Sequence, residues 1–228
     1  MRIVPKSFVC PLGDCKKVVQ PSDLLRHVLT AHMGSAGSRT VLEIPLRFRE
    51  VFRGQSTLMH LPYNRMKLDT DECLAVLNYA GDEQQQPQTM PGFCGLTAPQ
   101  RNLPRLQQVY SHHLPILVMA CKTTWQAVLS NMPARPEDVC YNDDNYVILL
   151  WLLSPPTTTP CHATMSVLNS ALRCGLRKRR EVRDFSTRMA IDQFILGYDP
   201  HYCILSQGEL RELCGSHSAF IEVVIHGA

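Results

Sequence analysis

Two cysteines followed by two histidines constrain the start of this chain more than any other feature. In residues 8–32, FVCPLGDCKKVVQPSDLLRHVLTAH, four residues separate Cys10 from Cys15, eleven separate Cys15 from His27, and four separate His27 from His32. Two sulfurs on a tight turn and two imidazoles on one helix can close around a single metal ion. A segment this short buries too little apolar surface to fold unaided, so metal binding has to supply folding free energy. Pro11, Gly13 and Asp14 suit the turn, and Pro21, Ser22 and Asp23 suit a helix start with Ser22 or Asp23 as its cap.

An apolar trio accompanies the four donors: Phe8 two before Cys10, Val19 four after Cys15, and Leu24 three before His27. Spacing and trio together resemble a Cys-Cys-His-His zinc finger. The resemblance implies Zn2+ on Cys10, Cys15, His27 and His32 and a ββα fold for residues 1–33. Two departures stand out. The interval between the pairs is one short of the usual twelve, and Val19 takes the place of an aromatic residue. A lone finger reads only about three base pairs, and its helix offers Arg26 alone as an obvious base reader. A structural or protein-binding finger is therefore expected.

With 228 residues, 45% of them hydrophobic, the chain has room for one small metal unit and one well-buried domain. A net charge of +3 is too mild to demand a nucleic acid or a membrane. The longest apolar run, YVILLWLL at residues 146–153, falls far short of the ~20 residues needed to span a bilayer. No membrane association is expected. Ten cysteines, scattered singly after the first pair, and an opening MRIVPKSF without a leader-like apolar stretch point to an intracellular, cytoplasmic or nuclear, reducing compartment.

The small, polar stretch MGSAGSR places a linker at residues 34–39 and a second domain at 40–228. Strand-type runs follow: TVLEI, residues 51–61 and residues 73–79. Residues 81–105, rich in Gln, Pro and Gly, read as a long surface loop. Residues 112–128 read as a long strand or a bent pair, apolar on both faces, with Leu114, Ile116, Val118 and Ala120 on one parity and Leu117, Met119, Cys121 and Trp125 on the other. Residues 146–153 share this property, and both read as inner strands of a layered sheet. Then come a strand at MSVLNSALRCGL, the basic run RKRREVRDF, a helix at residues 186–196 and a strand at 202–205. A helical turn at 207–213 and a last strand, FIEVVI, close the chain. The fold class is mainly β: an antiparallel β-sandwich with two short helices.

From Met165 to Ile225, the order strand, basic hairpin, helix, short strand, helical turn and last strand resembles the end of the substrate-binding domain of seven-in-absentia proteins. It is carried by LRCGLRKRREVRDFSTRMAIDQFI and CILSQGELRELCGSHSAFIEVVI. The resemblance implies a TRAF-like β-sandwich that binds extended peptide segments of partner proteins and supports a homodimer, with a possible link to ubiquitin pathways. Those proteins carry a RING domain before two fingers. Here one finger is present with no room for a RING before Cys10, so ligase activity is not implied. No groove residues can be carried over. The whole chain, finger included, also resembles an insect family of domain-of-unknown-function proteins.

Arg177, Lys178, Arg179, Arg180 and Arg183 form the most charged stretch, either an import or phosphate-contacting patch or a solvated hairpin. The remaining cysteines show no close pair for a second metal, and most of them read as core. Cys161-His162 and His112-His113 are adjacent in sequence, but strand neighbours point to opposite faces, so neither makes a nucleophile and base. No Gly-rich phosphate loop, Gly-x-Ser-x-Gly elbow or zincin signature occurs. The expectation is a non-enzymatic protein-binding adaptor. The alternative is a nucleic-acid-associated regulator using the finger and the basic run.

Overall fold

In a computed structural model, residues 7–10, 12, 15–32, 47–82, 95–130, 146–185, 199–214 and 219–227 are described. The expected strand TVLEI, the linker at 34–39 and the helix at 186–196 lie outside them, as do residues 83–94 of the long loop.

The chain is mainly β. Short strands β1 (Phe8–Val9) and β2 (Val18–Val19) pair antiparallel, and helix α1 (Leu24–His27) follows a single 3-10 turn at Pro21–Asp23. The six-stranded sheet contains β3 (Arg47–Val51), β5 (Thr70–Tyr79), β6 (Leu114–Thr124) and β7 (Tyr146–Ser154) in that spatial order. Both β10 (Arg183–Asp184) and β11 (Cys203–Ser206) pair with the far side of β7. The four-stranded sheet runs β4 (Ser56–Leu61), β12 (Ala219–Gly227), β8 (His162–Leu168), β9 (Cys174–Glu181).

The two sheets face each other across one core. Leu77, Leu114, Ile116, Val118, Ile148, Leu150 and Leu152 of the larger sheet meet Met59, Met165, Val167, Ile221, Val223 and Ile225 of the smaller. Strand β12 alternates buried and half-buried residues along its whole length, the pattern of a sheet with one face packed and one wet. Strands β6 and β7 are buried on both faces.

Two readings of the sequence are corrected. Residues 112–128 are neither one long strand nor a bent pair: β6 ends at Thr124, whose Oγ1 accepts the Ala127 N–H at 3.1 Å and opens helix α2 (Trp125–Ser130). Part of the 81–105 surface loop is an anchored connection. Gln100 and Leu103 are buried, and Arg105–Tyr110 forms a 3-10 helix. Strand β5 also carries a bulge between Cys73 and Ala75. The extra residue shifts the strand's parity, so Leu74, Ala75 and Leu77 face the inter-sheet core while Cys73 and Val76 face the opposite side.

Candidate metal centre and the sheet face beneath it

The β1-β2 turn and α1 bring Cys10, Cys15, His27 and His32 together, with all four donor atoms within 4.8 Å of one another. His27 and His32 lie five residues apart, which on an α-helix would set them about 140° around the axis. The chain solves this by widening into a π turn at Val28–His32, whose i→i+5 hydrogen bonding brings residues five apart onto one side. The two Nε2 atoms end 3.3 Å apart.

The donor set fits a tetrahedral ion. Zn–S and Zn–N bonds of about 2.3 and 2.05 Å give tetrahedral edges of about 3.6 Å for S to N and about 3.3 Å for N to N. Here Cys10 Sγ lies 3.4 Å from His32 Nε2, and Cys15 Sγ 3.5 Å from His27 Nε2. Burial pushes the Cys10 thiol up to about 12, so a metal must displace its proton to bind. Burial also holds both imidazoles below their ordinary range, His27 with help from the neighbouring His32, Lys17 and Arg26. Both are therefore in the neutral form that ligates.

The knuckle does not stand free. Phe8, Cys10, Leu12, Val19, Leu24 and Val28 pack on Val76, Leu117, Met119, Leu149, Trp151 and Leu153, the outward faces of β5, β6 and β7. This is why those strands are apolar on both sides. Phe8 stacks flat on Phe185, with ring centroids 4.2 Å apart and planes 1° from parallel. The helix start is held by the connection before β6. Gln100 Oε1 accepts the Leu25 N–H at 3.1 Å and its Nε2 donates to the Pro21 carbonyl at 3.1 Å. Arg101 N–H donates to the Ser22 carbonyl at 2.7 Å, and Asn102 Nδ2 to Asp23 Oδ1 at 3.3 Å.

The expected cap is thereby corrected. Neither Ser22 nor Asp23 caps the helix with its side chain; Gln100, 75 residues from Leu25 in sequence, does so. No spacing rule could have found Gln100 within a stretch rich in Gln and Pro. The signal that was present lay in the two-faced apolar strands, whose second face required a cover.

The basic run lies on β9 and β10 rather than at a hairpin tip, which is formed by Asn169 to Arg173. There Asn169 Oδ1 accepts the N–H groups of Ala171 and Arg173. Arg180 Nε donates to the Tyr202 carbonyl at 2.6 Å, and Arg183 Nη1 donates to the Tyr202 hydroxyl. Arg177 and Arg179 are exposed, and Lys178 is half-buried. The run is therefore split between two arginines clamping Tyr202 and a basic strand edge.

Of the adjacent pairs, Cys161 sits in the inter-sheet core. His113 is buried with Nε2 2.7 Å from Glu50 Oε1 and its ring edge-on to Tyr110. Burial raises the thiols of Cys73, Cys121 and Cys203 above their ordinary range. No helix among the described residues is long and apolar enough to cross a membrane.

Fold and site together define a β-sandwich carrying a Cys-Cys-His-His knuckle that can hold a metal ion, docked on the outer face of its larger sheet. A family model described as Domain of unknown function (DUF4729) matches residues 9–216, and the chain belongs to that family. No curated protein matches it.

Proposed function

We propose that this protein is a non-enzymatic, intracellular adaptor. Its metal is zinc, its sandwich is of the TRAF-like kind that the sequence resembles, and that sandwich recognises an extended segment of a partner protein. The observation that carries this reading is how the finger's helix is used. Its apolar side, Leu24 and Val28, is spent on the sheet, and its first turn is held by Gln100, Arg101 and Asn102. In fingers that read DNA, the residues at the helix start enter the major groove. A finger whose start is occupied by its own chain acts as a cover plate, and partner recognition falls to the sandwich.

The nucleic-acid reading has less support: Arg180 and Arg183 are engaged at Tyr202. Exposed Lys16 and Lys17 on the finger, with Arg177 and Arg179, remain for phosphate contacts.

The test uses the full zinc-loaded chain, because a fragment that starts at residue 40 would uncover the face beneath the finger. The chain is used as bait in cell extract with and without nuclease, and the retained proteins are then tiled as short peptides. Retention that survives nuclease, with binding traced to an extended motif, supports the adaptor. Release of everything by nuclease, with binding that weakens steeply in salt, would put the nucleic-acid reading in its place.

A further inference from the structure

The smaller sheet ends on β9, and the basic run lies along that edge. Opposite residues in the ladder are Arg177 with Ser166, Arg179 with Thr164 and Glu181 with His162. In an antiparallel ladder, residues alternate between those whose N–H and C=O face the neighbouring strand and those whose groups face away. The phase is fixed at the strand's end. Val182 N–H donates inward to the Cys161 carbonyl at 2.7 Å, whereas Glu181 N–H donates outward to the Pro200 carbonyl at 2.9 Å. The Glu181 carbonyl also lies 3.1 Å from His201 Nδ1.

The edge thus already meets another part of its own chain at Glu181, the bend at Pro200 and His201. Counting back in twos, the backbone groups of Arg179 and Arg177 face the same way, and among the described residues no other backbone meets them. The Arg179 carbonyl is met at 2.9 Å by Nη1 of the neighbouring Arg180, a side-chain contact that an incoming N–H would replace.

The side chains at these two positions are exposed. Arg177 lies with its Nε 3.2 Å from Ser166 Oγ and its Nη2 3.8 Å from Glu222 on the sheet's outer face, its side chain 65% exposed. A strand added at this edge would place alternate residues, about 6.8 Å apart, directly beside Arg177 and Arg179.

We propose that the β9 edge takes an extended acidic segment of a partner protein as one further strand, with carboxylates two residues apart on Arg177 and Arg179. This rests on the protein-binding reading above and names its site. The rival role for such an edge is protective, since basic residues on an edge strand discourage pairing with other chains.

The probe is a synthetic peptide with Glu at alternate positions between Thr and Val, titrated into the ¹⁵N-labelled, zinc-loaded full chain. A control peptide carries Lys for Glu, and a third is N-methylated at alternate amides. The expected result is amide shifts confined to β9 and its flanks. Affinity should fall about tenfold in the R177E/R179E variant, which should in turn bind the Lys peptide, and the N-methylated peptide should lose binding. Absence of β9 shifts, equal binding of the Lys peptide to the unmodified chain, or indifference to N-methylation would each overturn the proposal and leave the edge protective. Capture of partner proteins that persists in R177E/R179E overturns the β9 assignment while the adaptor reading stands. Absence of any captured protein overturns the adaptor reading instead.

Discussion

Gln100 caps a helix that lies far back in the sequence: its Oε1 takes the N–H of Leu25, 75 positions earlier, and its Nε2 gives to the Pro21 carbonyl. A cap supplied from within the helix's own turn would stabilise the finger alone. Supplied from the connection before β6, it makes the finger's helix and the sandwich mutually dependent. It also fixes the angle at which Leu24 and Val28 meet the sheet.

Gln100→Ala is expected to destabilise the zinc-loaded protein by about 1–3 kcal/mol, since it leaves the buried Leu25 N–H without its acceptor and removes a donor from the Pro21 carbonyl. Gln100→Glu keeps the acceptor and loses the donor, and should fall between. Denaturant unfolding measures the loss, and hydrogen exchange locates it. The Leu25 amide should exchange faster in Gln100→Ala while amides of β12 keep their protection. Unchanged exchange at Leu25 would remove the cap from the account.

The sequence made the four metal donors legible because ligation imposes spacing, and spacing is a local property. The sandwich core was legible for a related reason: the two parities at residues 114–121 sort Ile116 and Val118 toward the smaller sheet and Leu117 and Met119 toward the finger. What covers the second face could not be read, because parity says that a face is buried and not by what. Gln100 and Phe185 were invisible, since their roles depend on pairings across 75 or more residues. The split of the basic run was hidden too, because Tyr202 reaches Arg180 and Arg183 only in the fold.

Acid should weaken the fold partly through His113. Burial holds its imidazole below the ordinary range, outweighing the Glu50 carboxylate that pulls the other way, with His112 adding a small downward push. Between the unfolded value, about 6.5, and the lower folded one, the unfolded chain binds a proton that the folded chain does not. Stability is therefore fully present above about pH 6.5 and lost as pH falls through the folded value. In zinc-saturated protein, His113→Gln should show a shallower loss between neutral pH and pH 5 than the unmodified chain. Parallel curves would show that His113 does not contribute.

Leu172 holds a positive φ of 57° at the β8-β9 hairpin tip and is 54% exposed. A residue with a Cβ is disfavoured there by roughly 1–2 kcal/mol, a cost that glycine escapes. Leu172→Gly is expected to stabilise the chain by about 1 kcal/mol after its extra unfolded-state entropy is counted. A rise in the denaturant midpoint at constant slope is the measurement. A fall would mean that the Leu172 side chain makes a contact worth more than the strain.

Removing the metal tests the architecture most directly. The finger has little core of its own, and the zinc proposed for its four donors would hold the β1-β2 turn against α1. The sandwich core between the two sheets is separate from the cluster beneath the finger. Chelation, or Cys10→Ser, should therefore leave most strands in place while uncovering Val76, Leu117, Met119, Leu149, Trp151 and Leu153. An exposed apolar patch of that kind binds dyes and promotes association. Trp151, 6% exposed beneath the finger, is the reporter, and Trp125→Phe removes the only other tryptophan. On chelation its emission should move to longer wavelength, anilinonaphthalene sulfonate fluorescence should rise, and the far-ultraviolet β signal should persist. Added zinc should reverse all of it. If emission and dye binding stay flat while the metal leaves, the finger stays docked without its ion, and the metal is not what keeps that face covered.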